Sequence, residues 1–350
     1  MRRGWLVAML FAAGIAGAQS PAPNRALYTY QGADREQRLI EGARKERELM
    51  LYSTMTVSDG KAMGAAFEKK YGVKLYHWRG SAEGIVNRGV NEARARRHDV
   101  DVFETSWHRM ESLHREKLLE DFESPVLRDI VPQAFPSGHR QYVADRIAFI
   151  VMGWNTNLVK REELPETYAD LLQPRWNGRI TIEGTDVLWF AAVVKAMGEE
   201  RGLGYFRRLM AQKTQVRNSH ILLANLTASG EIPFFLSAYN NNFETLKAQG
   251  APVDWKPLQP AFGQGSAVGV AKFAPHPHAA LLFAEFLLSR EGQEVYKSLN
   301  RVPTNKLVDS PLNKFKYEII SPTLALDEGS KWDKHFSAIF LGGRAVQAGD

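Results

Sequence analysis

The sequence predicts an α/β protein of two lobes, each a mostly parallel sheet with helices packed on its faces. Three observations predict this. Apolar strand-like runs alternate with amphipathic helical runs from about residue 34 to residue 299, which is the pattern of linked β-α-β units. The chain has 350 residues, enough for two domains of ordinary size. Several predicted strands end in short polar loops, where open α/β sheets collect their ligands.

The first residues read as an export signal. Met1-Arg2-Arg3 is basic, Trp5 to Ala16 is apolar, and Ala16-Gly17-Ala18 supplies small residues before a cut near Ala18. The apolar run is too short to span a bilayer, and no later segment is continuously apolar. The chain has no cysteine. Disulfides, thiol nucleophiles and thiolate metal ligands are therefore excluded, as is the cysteine that a lipid anchor needs at the cleavage site. The expected mature protein is free, unlipidated and periplasmic.

In chain order, Asp34 to Glu48 is predicted helical, Leu49 to Tyr52 a strand, Gly60 to Tyr71 a helix and Val73 to Trp78 a strand. Arg79-Gly80-Ser81 forms a loop, and Ser81 is placed to cap the next helix. Ile85, Val86, Val90 and Ala93 give that helix its apolar stripe, with Arg88, Glu92, Arg96 and Arg97 outside it. Asp101 to Glu104 is a buried strand, and Trp107 to Leu119 a helix. Asp121 to Pro136 is irregular, broken by three prolines. Ile147 to Trp154 is an apolar strand, read as the first crossing between lobes.

In the second lobe, Pro165 to Leu172 is a helix with proline at its start, and Arg179 to Glu183 a strand. Gly184-Thr185-Asp186 turns into a helix that ends at Met197. Helices follow at Arg201 to Ala211, Ile221 to Ala228 and Tyr239 to Gln249, with strands at Gln215-Val216, Ile232 to Ser237 and Val253 to Pro257. Ser266 to Lys272 is the return crossing. Helices at Pro277 to Ser289, Glu291 to Leu299 and His335 to Val346 complete the chain. The lobes are accordingly 19–150 with 266–310, and 151–265, with 311–350 packing on them.

The formal charge of +6 and pI near 9.3 favour anionic partners only weakly, because part of that charge is in the signal. Basic residues are scattered among acids, and the densest cluster, Arg94 to Arg97, reads as a solvated helix end. No nucleic acid is expected as partner. Glu83 and Glu104 form no fixed acid–base pair, and no G-x-S-x-G nucleophile motif occurs. An enzyme is therefore not expected.

Six stretches carry a resemblance: LYST at Leu51, RGSAEGIVNRGVNEARARRHDVDV at Arg79, GRITIEGTD at Gly178, LLANLTASGEIPFFLSAYNNN at Leu222, LKAQGAPVDW at Leu246 and HAALLFAEFLLSREGQEVY at His278. In these the chain resembles the periplasmic solute-binding proteins of bacterial ABC importers, family 1, in the branch that includes ferric-iron binders. The resemblance implies a two-lobed type II, Venus-flytrap fold with crossing hinge strands that closes over a ligand. It implies an inner-membrane ABC permease as partner and a monomeric binding protein. Position by position it places Ser53, Thr54, Arg79, Ser81, Thr105 and Ser106 of one lobe in the cleft, with Thr185, Asp186, Ser219, His220 and Tyr239 of the other.

Ferric binders of this branch present two adjacent tyrosines where this chain has Ala238-Tyr239-Asn240. One phenolate is an incomplete ferric set. The expected ligand is thus a small organic or phosphate-type anion held by Arg79 and the helix starts at Ser81 and Ser219. Ferric iron, with Tyr239 as its metal ligand, is the alternative; no resident cofactor is expected. His77 and His108 lie close to the strand-end loops and read equally as cleft or surface residues. His276-Pro277-His278 reads better as a helix opening than as a metal site. Trp78, Trp107, Trp154 and Trp189 read as packing residues.

Overall fold

The alternating pattern builds one sheet carrying two main hydrophobic cores. The computed structural model describes residues 24–310, 313–344 and 346; the export signal and its cut lie outside the described residues. The first units are α1 (Arg25–Tyr28), α2 (Arg35–Glu46), β1 (Glu48–Ser53), α3 (Val57–Tyr71), β2 (Lys74–Arg79), α4 (Ala82–Arg94), β3 (Val102–Ser106) and α5 (Trp107–Arg115). Strands β1, β2 and β3 pair in parallel. Thr56 and Ser81 cap α3 and α4 by accepting the Asp59 and Gly84 N–H groups.

A long strand, β4 (Val143–Asn155), leads to β5 (Ile180–Glu183), α6 (Val187–Met197), α7 (Glu199–Ala211), β6 (Gln215–Arg217), α8 (His220–Ser229), β7 (Phe234–Tyr239), α9 (Asn240–Ala248) and β8 (Val253–Lys256). The chain returns through β9 (Ala261–Val270), then α10 (Pro277–Leu288), α11 (Arg290–Ser298), β10 (Val302–Pro303), β11 (Tyr317–Ile319), α12 (Leu324–Asp327) and α13 (Gly329–Phe340). The strand order is β2-β1-β3-β9-β4-β7-β5-β6. The two crossing strands, β4 and β9, lie antiparallel at its centre and join a parallel set on each side. Both are longer than their apolar runs suggest, because the flanking residues find partners in the neighbouring strands. No described helix is long and apolar enough to cross a membrane.

One core is drawn from residues 28–144 and 267–296, and the second from residues 150–262 and 320–340. Three sequence expectations change. The last helix is α13, ending at Phe340 rather than reaching Val346. Trp332, Phe336 and Phe340 recur every fourth residue and pack on Phe190, and Gly342 and Gly343 then take positive φ, which ends a helix. Residues Pro165 to Leu172 do not form an α-helix. Only a 3₁₀ turn over Tyr168–Leu172 forms, where the Thr167 N–H is held by Asp170, and Gln173, extended before Pro174, ends it. Glu92, expected outside the apolar stripe of its helix, is buried. Its carboxylate accepts from the Tyr52 hydroxyl and from Arg88, whose guanidinium stacks on Tyr52 and Trp78.

Candidate metal centre

The centre of the sheet opens at a few positions only. Along β4 every residue is buried except Arg146 and Ala148, and along β9 every residue except Gln264 and Ser266. These four are register partners, Arg146 with Ser266 and Ala148 with Gln264. Ser106 ends β3 opposite Ser266, and Tyr239 ends β7 opposite Ile150. The partly exposed residues thus form one patch spanning the two crossing strands. Sequence reasoning had placed Ser106 and Tyr239 there and missed Arg146, Gln264 and Ser266.

Four ionisable side chains converge at the Tyr239 end of this patch. β5 ends on Glu183, and the turn through Gly184-Thr185 brings Asp186 to the start of α6. Ser219 sits at φ +76° and caps α8 by accepting the Leu222 N–H, which sets His220 at the first helical position. Donor atoms of Glu183, Asp186 and His220 lie within 4.8 Å of one another. His220 Nε2 is 3.1 Å from Asp186 Oδ1, without the alignment of a hydrogen bond. The Tyr239 ring packs on His220 at 4.2 Å between centroids, and its hydroxyl donates to Gln264 Oε1 at 3.3 Å.

Glu183 is oriented before any ligand arrives. Its Oε2 accepts from the Thr185 N–H and hydroxyl, both at 2.6 Å, and its Oε1 from the Ser219 N–H at 3.1 Å. Asp186 Oδ2 and His220 Nε2 are buried without a hydrogen-bond partner among the described residues. Such groups are costly unless something satisfies them. Burial, reinforced by the Glu183 charge, pushes the Asp186 carboxyl well above its ordinary range. Burial holds the His220 imidazole down, against the pull of Glu183. Burial, with the charges of Asp186 and Glu183, pushes the Tyr239 phenol well above its usual value. Glu183 was read from the sequence only as a strand end. An acidic residue closing an apolar strand just before Gly-Thr-Asp is the signal that could have found it.

The sites predicted on the other side lie apart from this cluster. Ser53 is fully buried, accepts the Met55 N–H and sits 2.8 Å from His77 Nε2. The His77 ring also lies against Gly60 of α3. The Thr54 N–H donates to the Glu104 carbonyl. Arg79 is exposed, and its Nε donates to the Met55 carbonyl. Ser81 serves as the α4 cap. Thr105 Oγ1, Ser106 Oγ and Trp107 Nε1 are buried without hydrogen-bond partners among the described residues. Burial lowers His108 to about 4, so it is neutral at neutral pH. His276 and His278 pair with Asp101 and Glu46 around the Pro277 start of α10, as a helix opening requires.

Beside Ser266, at its cross-strand partner Arg146, lies a second charged group. Arg146 pairs with Glu104 at 2.8 Å and Asp145 at 3.1 Å, and the Tyr296 hydroxyl donates to Asp145. Burial, opposed by Arg146 and reinforced by Glu104, pushes Asp145 up to about 7. A carboxyl raised in the folded state stabilises the fold fully below its unfolded pKa of about 4, and that contribution disappears as pH rises through about 7. Stability should therefore fall across this window by up to about 1.4 kcal/mol per pH unit, and the melting temperature should fall with it. Asp145→Asn should flatten the fall in a pH series of thermal melts; an unchanged profile would show that Asp145 is not responsible.

A third cluster, Glu111, His114 and His139, also groups donor atoms. Its two imidazoles stack at 3.8 Å with planes 15° apart. Ring-nitrogen lone pairs lie in the ring planes, so these run side by side and do not converge on one ion.

Residues 101–320 match the family model of the bacterial extracellular solute-binding proteins. The chain is 26% identical over 313 residues to iron uptake protein A1 of Synechocystis, covering 81% of this chain and 83% of that one. It is 25% identical over 276 residues to the Fe(3+)-binding periplasmic protein of Serratia marcescens, covering 74% and 79%. Among solved structures, iron-bound HitA from Pseudomonas aeruginosa superposes with a TM-score of 0.71 at 21% identity, over 83% of this chain and 99% of that one. The fold is that of the two-lobed periplasmic binding proteins.

Proposed function

The chain belongs to the bacterial extracellular solute-binding protein family, and from that premise we propose that it is the periplasmic binding component of an ABC importer whose cargo is ferric iron. It captures the ion without chemical turnover. The carrying observation is the convergence of Glu183, Asp186 and His220 on Tyr239 at the open patch of the central strands. Two carboxylates and a phenolate supply three negative charges and hard oxygen donors to a trivalent ion, and His220 supplies a nitrogen donor. The sequence reading ranked iron second because Tyr239 alone stood at a ligand position. Glu183 and Asp186 supply the missing anionic oxygens. Asn240, next to Tyr239, serves the fold: its Oδ1 accepts the Phe149 N–H at 2.8 Å.

In this reading the export signal is removed near Ala18, the protein stays unlipidated and monomeric, and the lobes 19–150 with 266–310 and 151–265 close about β4 and β9. The loaded form then docks on its permease. Thr185 and Ser219 hold the Glu183 carboxylate in place, and Gln264 holds the phenol until the metal displaces its proton. The iron named in the two relatives described above supports this cargo. A small organic anion is the second reading. Thr105 Oγ1 and Trp107 Nε1 beside Ser106, buried without hydrogen-bond partners among the described residues, favour it, and Arg79 and Ser81 would complete such a site.

Arg79→Ala separates the two. With ferric cargo, this variant should bind ferric citrate within about threefold of the parent, a change near 0.6 kcal/mol. With an organic anion as cargo it should lose most of its affinity, and native mass spectrometry of the purified protein should show a retained organic mass and no iron.

A further inference from the structure

We infer that Glu183, Asp186 and His220 by themselves also take a divalent first-row ion of the manganous or ferrous kind, with Tyr239 left hydrogen-bonded to Gln264. This rests on the same cleft cluster as the ferric reading, but uses three of its four donors. The three donor atoms already lie within 4.8 Å of one another. An ion about 2.1 Å from each of three ligands holds those ligands roughly 3–4 Å apart, so little movement is needed.

The charges support the division. Glu183 and Asp186 together neutralise a divalent ion, and a trivalent ion calls for the third negative charge that a phenolate brings. Hydrogen bonding agrees. The Tyr239 hydroxyl is held at 3.3 Å by Gln264 on β9, which is no part of the triad. Asp186 Oδ2 and His220 Nε2 instead have no hydrogen-bond partner among the described residues. The Asp186 side chain is 4% exposed and that of His220 14%, so water does not readily satisfy them and a bound ion would. Two oxygens and one imidazole, with room for water or another group on the open side of the patch, suit manganese(II) and iron(II). Glu183 is aimed by Thr185 and Ser219 in the way that outer partners orient metal ligands.

The test titrates Mn2+ alone into the full mature chain, stripped of metal, and reads free Mn2+ by electron paramagnetic resonance. Ferric citrate absorbance is measured in parallel. Tyr239→Phe should keep Mn2+ binding within about threefold, whereas Asp186→Asn and, independently, His220→Gln should weaken it about tenfold or more. Absence of Mn2+ binding, or a loss in Tyr239→Phe equal to that in Asp186→Asn, overturns the inference. A coloured ferric complex with no Mn2+ binding sinks this inference and leaves the ferric reading standing. Mn2+ binding with the stated pattern and no ferric colour does the reverse.

Discussion

Tyr239→Phe is expected to abolish the visible charge-transfer colour of the ferric-loaded protein and to weaken ferric binding by about a hundredfold or more. Changes to groups that merely orient metal ligands cost about 10–100-fold, and loss of an anionic ligand should cost at least the upper end. The substitution is otherwise mild. The ring still packs on His220, and only a long hydrogen bond to Gln264 is lost, so thermal stability should change little. Burial and the charges of Asp186 and Glu183 hold the free phenol well above its ordinary pKa. Ferric binding must expel that proton, and apparent affinity should rise with pH through the neutral range. Colour that survives in Tyr239→Phe would remove Tyr239 from the metal's ligands.

Asp186→Asn should move stability and function in opposite directions. Asp186 is buried, beside the Glu183 carboxylate, and its Oδ2 lacks a hydrogen-bond partner among the described residues. Its carboxyl is pushed up by burial and then by the Glu183 charge. A carboxyl so raised stabilises the fold below about pH 4, its unfolded pKa, and loses that contribution as pH rises toward the folded value. The neutral amide has no charge to lose. The metal-free variant should melt a few degrees higher than the parent at neutral pH, with little difference near pH 4. The same change removes one anionic oxygen and should weaken ferric binding about a hundredfold or more. A variant that melts lower at neutral pH while binding iron normally would contradict both halves of this account, and would make Asp186 a structural residue. The pattern is that of a binding site whose like charges are kept close at the expense of the empty fold.

How much of this was legible in the chain can be argued residue by residue. Ser81 and Ser219 were readable as helix starts because capping is local: a hydroxyl two or three residues before an N–H needs no long-range partner. Asp186 and His220 were readable as loop residues at the ends of apolar runs. Glu183 was not, because its role depends on a turn and on the Ser219 N–H from another β-α unit. Arg79 shows the limit of a local reading. A strand-end arginine beside a helix start suggests an anion site, yet its hydrogen bond goes to the Met55 carbonyl of its own unit.

The sequence by itself determined the alternation of strands and helices, most element positions, the crossing role of two apolar segments and the family. These follow from periodicity, capping and turn chemistry within short windows. Only the tertiary structure decided which residues face the open patch. Whether Arg146, Gln264 and Ser266 are exposed or buried depends on the register between β4 and β9. A one-residue slip would turn each to the other face. The union of Glu183, Asp186, His220 and Tyr239 likewise depends on three strands, β5, β6 and β7, lying side by side with their ends aligned. Contacts between distant segments leave no period in the chain, so the ligand set became visible only once the sheet was assembled.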